Sequence, residues 1–357
     1  MWKNSTVNLH EVKLKPKEIL DFTEQLDSFI AAEMPLEKSL EKLYEIYSES
    51  SPDKPITKII GEVQFQLVAG KKFSEALALF PLSFSRFYTS MIHAGELTGN
   101  LAEILRHLNQ YLKREDELKS EVKSALTYPT VLIILGLGVT TFLLISVVPR
   151  FEQMFEGVGQ ALPIYTELLI SISRFLASTK GLMLAIAIAA LVHLIRRYLK
   201  TDSGRSLFDC YILRVPLIGV LVQKVAVSRF TLTLGILLQN NVELLSALAI
   251  GKGVVGNKVY EDALGQAAWK VSAGENISTS LKNIFPLKAV QMIEVGEANS
   301  RLADMSLSVS NRYEKEVRNQ LKIITSVIEP ILLLVLGGMV CFIALAIFLP
   351  MMTQPQF

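Results

Sequence analysis

Two Gly-Glu pairs, Gly95-Glu96 and Gly296-Glu297, are the polar positions with the most to say about chemistry in this chain. On one reading each glycine is a helix C-cap and each glutamate an anion near the N-terminus of the next helix, where the helix dipole favours negative charge. On the other, the pairs form a duplicated contact for a partner, and the two readings are compatible. Glu96 and Glu103 could share a cation with oxygen ligands from a neighbouring helix, although capping already accounts for both carboxylates. The four histidines, His10, His93, His107 and His193, do not stand at metal-ligand spacing with one another, with a cysteine or with a carboxylate cluster. Gly251-Lys-Gly253-Val-Val-Gly256 spells G-x-G-x-x-G, but a dinucleotide site needs a preceding strand, and here a helical run over 242–250 precedes it. A helix–helix loop is the expected structure. The sequence contains neither a P-loop nor a G-x-S-x-G nucleophile setting. No catalytic residue, cofactor or metal is expected.

The elements that must position these residues are helices, some of them in lipid. Half of the 357 residues are hydrophobic and 20% are charged, too apolar for a soluble domain and too charged for membrane helices alone. The formal charge of +2 excludes a chain that binds nucleic acid along its whole length. Two cysteines, Cys210 and Cys341, make no disulfide scaffold and read as buried small hydrophobes. Residues 1–16 lack a signal-peptide core, so the amino terminus is expected to stay in the cytoplasm.

No residue between Lys123 and Arg150 is charged, which predicts a first span over 124–149. After Glu329 no side chain is charged, which predicts another over 329–350. A shorter apolar run, bracketed by Lys180 and by Arg196 and Arg197, predicts a middle span over 180–197 whose basic ends snorkel. Basic residues precede the first and third spans and follow the second. The positive-inside rule then places the amino terminus inside and the carboxyl terminus outside. The expected organisation is an amino-terminal segment 1–16, cytoplasmic helical domains 17–123 and 198–323, an external loop 150–179 and an external tail 351–357. Gly136, Gly138, Gly181, Ala185 and Ala189 offer small-residue packing faces within the spans.

The two cytoplasmic regions repeat each other. Phe22, Thr23, Leu26, Leu36 and Leu40 recur 208 residues later as Phe230, Thr231, Leu234, Leu244 and Leu248. Met91, Ile92, Gly95, Glu96, Leu101 and Ala102 recur 201 residues later as Met292, Ile293, Gly296, Glu297, Leu302 and Ala303, as do Pro129 and Pro149 as Pro330 and Pro350. With one connecting span, the copies have the same orientation, a parallel rather than an inverted repeat. Apolar residues at helical spacing make each copy all-α. Breaks at Ser51-Pro52, Gly70, Pro81 and Gly95 divide copy one into five short helices and one long helix starting after Asn100, which Pro129 should kink.

These features together resemble the inner-membrane platform proteins of type IV pilus assembly, the type II secretion F family. The matching residues are Phe22-x₃-Leu26 and Phe230-x₃-Leu234 with their downstream Leu-x₃-Leu, the run from Ala94 through Gly95, Glu96 and Gly99 to Leu101, and Val295-Gly296-Glu297. Tyr128-Pro129, Val148-Pro149-Arg150-Phe151 and Leu162-Pro163-Ile164-Tyr165-Thr166 match as well. Copy two diverges where Glu329 replaces the tyrosine and Asn299-Ser300-Arg301 replaces Thr98-Gly99-Asn100. The resemblance implies an all-α polytopic membrane protein with two homologous cytoplasmic six-helix bundles and three transmembrane helices. It also implies a non-catalytic platform in the bacterial inner membrane that forms a dimer or higher oligomer. Its implied partners are a cytoplasmic hexameric ATPase, pilin or pseudopilin subunits, other inner-membrane assembly proteins and lipid. The platform of a type II secretion system or of a competence-type pilus fits the same features. From other classes, a transporter permease is opposed by the nearly uncharged membrane region, and a membrane sensor by the small external loop.

Overall fold

A computed structural model describes residues 12–156, 164–199 and 201–352. Among these residues all regular structure is helical, with no strand. Copy one opens with α1 (Pro16–Ala31). Pro16 stands at the first turn, where its missing N–H costs nothing, and the Glu18 carboxylate accepts the Lys15 N–H at 2.8 Å. Then follow α2 (Leu36–Ser50), α3 (Pro55–Val68), α4 (Phe73–Ala78) and α5 (Arg86–Thr98), each packed on its predecessor. The breaks at Ser51, Gly70 and Pro81 fall between helices as expected. The expected break at Gly95 does not: Gly95 lies inside α5, and Gly99, with φ +71°, ends that helix.

The long helix α6 (Leu101–Phe142) begins after Asn100, as expected, and contains Pro129. It passes through a π-helical turn, Leu143–Val147, into α7 (Val148–Glu156). Next come α8 (Ile164–Ala177), α9 (Thr179–Tyr198) and α10 (Asp202–Arg214). Copy two comprises α11 (Ile218–Gln239), α12 (Leu244–Gly251), α13 (Lys258–Ser272), α14 (Ile277–Leu281), α15 (Leu287–Ala298) and α16 (Leu302–Met352). The G-x-G-x-x-G stretch is a 3-10 turn, Lys252–Val254, followed by Gly256 at φ +81°, and a helix precedes it.

The chain divides into two compact units. The first holds the described residues up to Glu121 together with Leu213–Arg318, so most of both repeated helical regions lies in it. Its core is one connected cluster in which Phe22, Leu26, Phe80 and Met91 of copy one join Phe230, Leu234, Phe285 and Ile293 of copy two, none more than 4% exposed. Each such side chain contributes about 1.5–3 kcal/mol by leaving water. A buried Thr23–Tyr88 hydroxyl pair, 2.9 Å apart, crosses the copy-one core, and burial pushes the Tyr88 phenol up and keeps it neutral. The second unit holds the described residues of Val122–Ile212 and those from Asn319 on.

Three described helices are long and apolar enough to cross a membrane: Leu101–Phe151, Ile218–Gln239 and Leu302–Phe348. The first and third carry the apolar stretches read from the sequence. The second is α11 rather than the stretch 180–197. A helix that is apolar on every face is buried, either in protein or in lipid. For α11 the surrounding medium is protein, with Ala226, Val227, Phe230, Leu234 and Leu237 fully buried. Residues 180–197 lie in α9, a helix of 20 residues and about 30 Å on which Met183, Leu184, Ile186, Leu191, Leu194 and Ile195 are exposed. The cysteines are free and exposed, in place of the burial expected for them.

Candidate functional site: carboxylate corners and paired long helices

Helices α4 and α14 are one to two turns long, and their N-cap residues, Lys72 and Asn276, make no side-chain cap. Their first N–H groups therefore need another acceptor. Glu96 supplies it for α4. One of its oxygens accepts the Phe73 N–H at 2.6 Å and the Ser74 N–H at 3.3 Å, and the other accepts the Ser74 hydroxyl. Glu297 does the same for α14, accepting the Ile277 N–H at 2.7 Å, the Ser278 N–H at 3.1 Å and the Ser278 hydroxyl at 2.7 Å. Each carboxylate thus caps the preceding short helix, not the following one as the sequence suggested. Charge-assisted bonds to a helix N-terminus are the stronger kind.

Glycine precedes each glutamate because the next long helix passes close by. A Cβ on Gly95 would stand 3.0 Å from Ile104, and one on Gly296 would stand 2.7 Å from the Met305 Cβ. Glu103 is occupied separately, accepting the Asn100 side-chain amide, so Glu96 and Glu103 serve different partners. In copy one His93 Nδ1 lies 3.4 Å from the Ser74 hydroxyl. The buried serine points its hydroxyl at Glu96, and the carboxylate does not orient the imidazole, so the arrangement of an activated nucleophile is missing.

Within the first unit the copies meet along α6 and α16. Arg114 donates to Asn311 at 3.1 Å, and Glu117 pairs with Arg318 at 3.5 Å, while Arg318 also pairs with Glu121 and with Glu314. Contacts that advance together on both helices mean a parallel pair. Residues 117 and 318 are separated by 201, the offset of the repeat, so equivalent positions face each other. A second link joins α6 to α11: Arg229 donates twice to Glu115, at 2.7 and 2.6 Å, over a half-buried surface.

Within the second unit the same pairing continues in kind. The Tyr128 hydroxyl donates to Glu329 at 3.4 Å, again across the offset of 201. Gly136 lets Leu336 approach, since a Cβ there would lie 2.5 Å from its nearest methyl. Gly138 faces open space. Pro129 and Pro330 lie inside α6 and α16, and Pro149 and Pro350 lie near the far ends of the two helical paths. A proline has no N–H, so each strands a carbonyl one turn earlier. Helix α8 supplies the replacements for Pro149 and Pro350. The buried Thr166 hydroxyl donates to the Ala346 carbonyl, four residues before Pro350, at 2.6 Å. The buried Ser173 hydroxyl donates to the Leu144 carbonyl, five residues before Pro149 and within the π-turn. Thr166 and Ser173 are seven residues apart, hence on one face of α8, with Leu169 and Ile170 packed among Leu144, Val148, Ile343 and Ile347 beside them. Leu162 and Pro163, expected to belong to this region, lie outside the described residues.

Sequence reading missed Ser74, Ser278, Ser173, Glu115 and Arg229. Isolated polar residues in helices carry no spacing signal, whereas the Glu117/Arg318 and Tyr128/Glu329 pairs were visible in principle, through the repeat offset.

The comparisons with known proteins agree with this duplicated layout. A family description, type II secretion system protein F, matches twice, over residues 22–149 and 230–350. The chain is 34% identical to the type IV pilus assembly protein PilC of Thermus thermophilus over 94% of this chain and 82% of that one. It is 35% identical to the PilC protein of Myxococcus xanthus over 94% of this chain and 79% of that one. It is 30% identical to the type II secretion system protein F of Pseudomonas aeruginosa over 96% of this chain and 84% of that one. Two matches at the positions of the internal repeat, and relatives aligned along nearly the whole chain, place this protein in the type II secretion system protein F family.

Proposed function

We propose that this chain is the inner-membrane platform of a type IV pilus assembly machine, coupling a cytoplasmic hexameric ATPase to the insertion and extraction of pilin subunits. The carrying observation is that α6 and α16 each run from a helical unit rich in charge into an uncharged stretch, and that they pair at equivalent positions. Paired helices without a break are stiff and can carry a displacement or rotation. The amino terminus lies in the cytoplasm and the carboxyl terminus outside, with α9 as the middle span and two or more copies assembled in the membrane. The chain performs no catalysis; its partners are the ATPase, pilin or pseudopilin subunits, other inner-membrane assembly proteins and lipid. The Gly-Glu corners lie on cytoplasmic faces and form a duplicated partner contact.

Deletion of the gene with complementation tests this. Loss of surface filaments with pilin still in the membrane is expected. Loss of secreted protein with filaments intact would move the assignment to the platform of a type II secretion system. If neither changes, the platform reading fails and a permease role replaces it. Sustained ATP hydrolysis by the purified chain alone would also sink it. An export reporter fused at Asp202 or Asn283 is expected to stay cytoplasmic.

A further inference from the structure

Helix α10 turns an apolar face outward that an aqueous setting does not favour. One of its carboxylates, Asp209, is turned inward and only 7% exposed, with Arg205 3.9 Å away. Three of its large apolar side chains point the other way, Leu207 being 53% exposed, Phe208 47% and Tyr211 64%, while Ile212 and Leu213 are half-buried on the inner side. Positions 207, 208 and 211 share one helical face, roughly opposite 209, and Arg205 stands at its edge, one turn before Phe208. A helix in water places its apolar stripe against protein and its charges outward. A contiguous aromatic and aliphatic face turned outward marks an interaction surface.

The corner before α10 fixes where that face lies. The Thr201 hydroxyl donates to the Tyr198 carbonyl at 2.6 Å and accepts the Gly204 N–H at 3.3 Å. A Cβ on Gly204 would stand 2.2 Å from the Tyr198 carbonyl oxygen, so only glycine fits this turn. α10 is thereby held a few residues beyond the end of α9, where Arg196 and Arg197 are exposed. Up to Ile212 it belongs to the same compact unit as the membrane helices.

We propose that α10 lies on the cytoplasmic leaflet of the membrane, with Leu207, Phe208 and Tyr211 sunk at the headgroup boundary and Arg196, Arg197 and Arg205 beside anionic lipid phosphates. Basic residues flanking an outward apolar face, continuous with a spanning helix, are complementary to an anionic bilayer surface. The proposal rests on α9 being the middle span. It gives α10 a role in setting the depth and tilt of the platform.

The test uses the full chain in bilayer discs of phosphatidylcholine and phosphatidylglycerol. Cys210 and Cys341 are replaced by serine, and single cysteines at 206, 207, 208 or 211 carry a nitroxide. Labels at 207, 208 and 211 are expected to be several-fold more accessible to oxygen, and less accessible to a water-soluble nickel chelate, than the label at 206. High nickel accessibility at all four sites would overturn the proposal in favour of a solvated helix. Shielding from both reagents would overturn it in favour of a protein partner, such as a second copy. Replacing Arg196, Arg197 and Arg205 by glutamine should reduce the nickel shielding in the mixed bilayer and leave it unchanged in phosphatidylcholine alone; equal effects in both would remove the anionic-lipid part. The Asp202 reporter separates the two levels. Export there breaks the topology of α9, whereas a cytoplasmic reporter with a solvated α10 breaks this proposal only.

Discussion

The two copies solve the same mechanical problem with different residues. Both cap a short helix with a glutamate from the next helix, and both let the long helix pass close to a glycine. They part company at the turn that follows. Copy one ends α5 on Gly99 at φ +71°, while copy two places Ser300 in the same left-handed region at φ +57°. They also part company where they touch. A symmetric homodimer forces a residue on its axis to face itself, so Glu would face Glu. Here duplication has let the facing positions diverge into Glu117 opposite Arg318 and Tyr128 opposite Glu329. Repulsion that symmetry would impose is replaced by attraction, and the register of the paired helices is specified in the process. The conserved part of the repeat keeps each copy folded, and the divergent part fits one copy to the other.

The comparison can be broken most severely at the carboxylates. Glu96→Ala and Glu297→Ala each strand two backbone N–H groups and a serine hydroxyl, and each should cost about 2–4 kcal/mol. Denaturant unfolding of the full chain in detergent measures this. Equal losses would make the corners equivalent, and a loss below 1 kcal/mol in one copy would show that corner to be dispensable. Gly296→Ala should cost about 1–3 kcal/mol and more than Gly95→Ala, because its added methyl meets Met305 Cβ at 2.7 Å where Gly95 has 3.0 Å to Ile104.

Arg318→Glu should destabilise the chain by about 1 kcal/mol, and Glu117→Arg in the same chain should restore part of it. Additive effects in that double-mutant cycle would deny the pairing. Ser300→Gly should stabilise by about 1 kcal/mol by relieving the left-handed strain, while Gly99→Ser should destabilise by a similar amount. A gain from both changes would mean that the turns differ in more than φ.

The smallest effect concerns pH. Burial lowers the His107 pKa below its ordinary value of 6.5, against the pull of Glu103. The folded chain therefore binds fewer protons there than the unfolded chain. The stability is fully present above the unfolded value and falls as pH drops from about 6.5 through the lowered folded value. Ser308 holds the equivalent place in copy two, so His107→Asn should flatten the dependence between pH 7.5 and 5.5 by under about 1 kcal/mol.

The sequence by itself determined much of the architecture. Apolar periodicity, two long uncharged stretches and a repeated pattern are local or additive signals, and they yielded helices, two of the long apolar helices and the copies. The start of α6 after Asn100 and the loop character of Gly251 to Gly256 were legible for the same reason. Tertiary structure alone decided three matters. It decided that α11 is buried by protein, because total apolarity does not reveal which medium surrounds a helix. It moved the cap from Gly95 to Gly99 and turned Glu96 back onto α4, since a carboxylate's partner is chosen by packing and not by its neighbours in the chain. And it brought Thr166 and Ser173 to the carbonyls stranded before Pro350 and Pro149. The missing N–H of proline is written in the sequence, but the hydroxyl that replaces it lies on another helix, and only folding brings the two together.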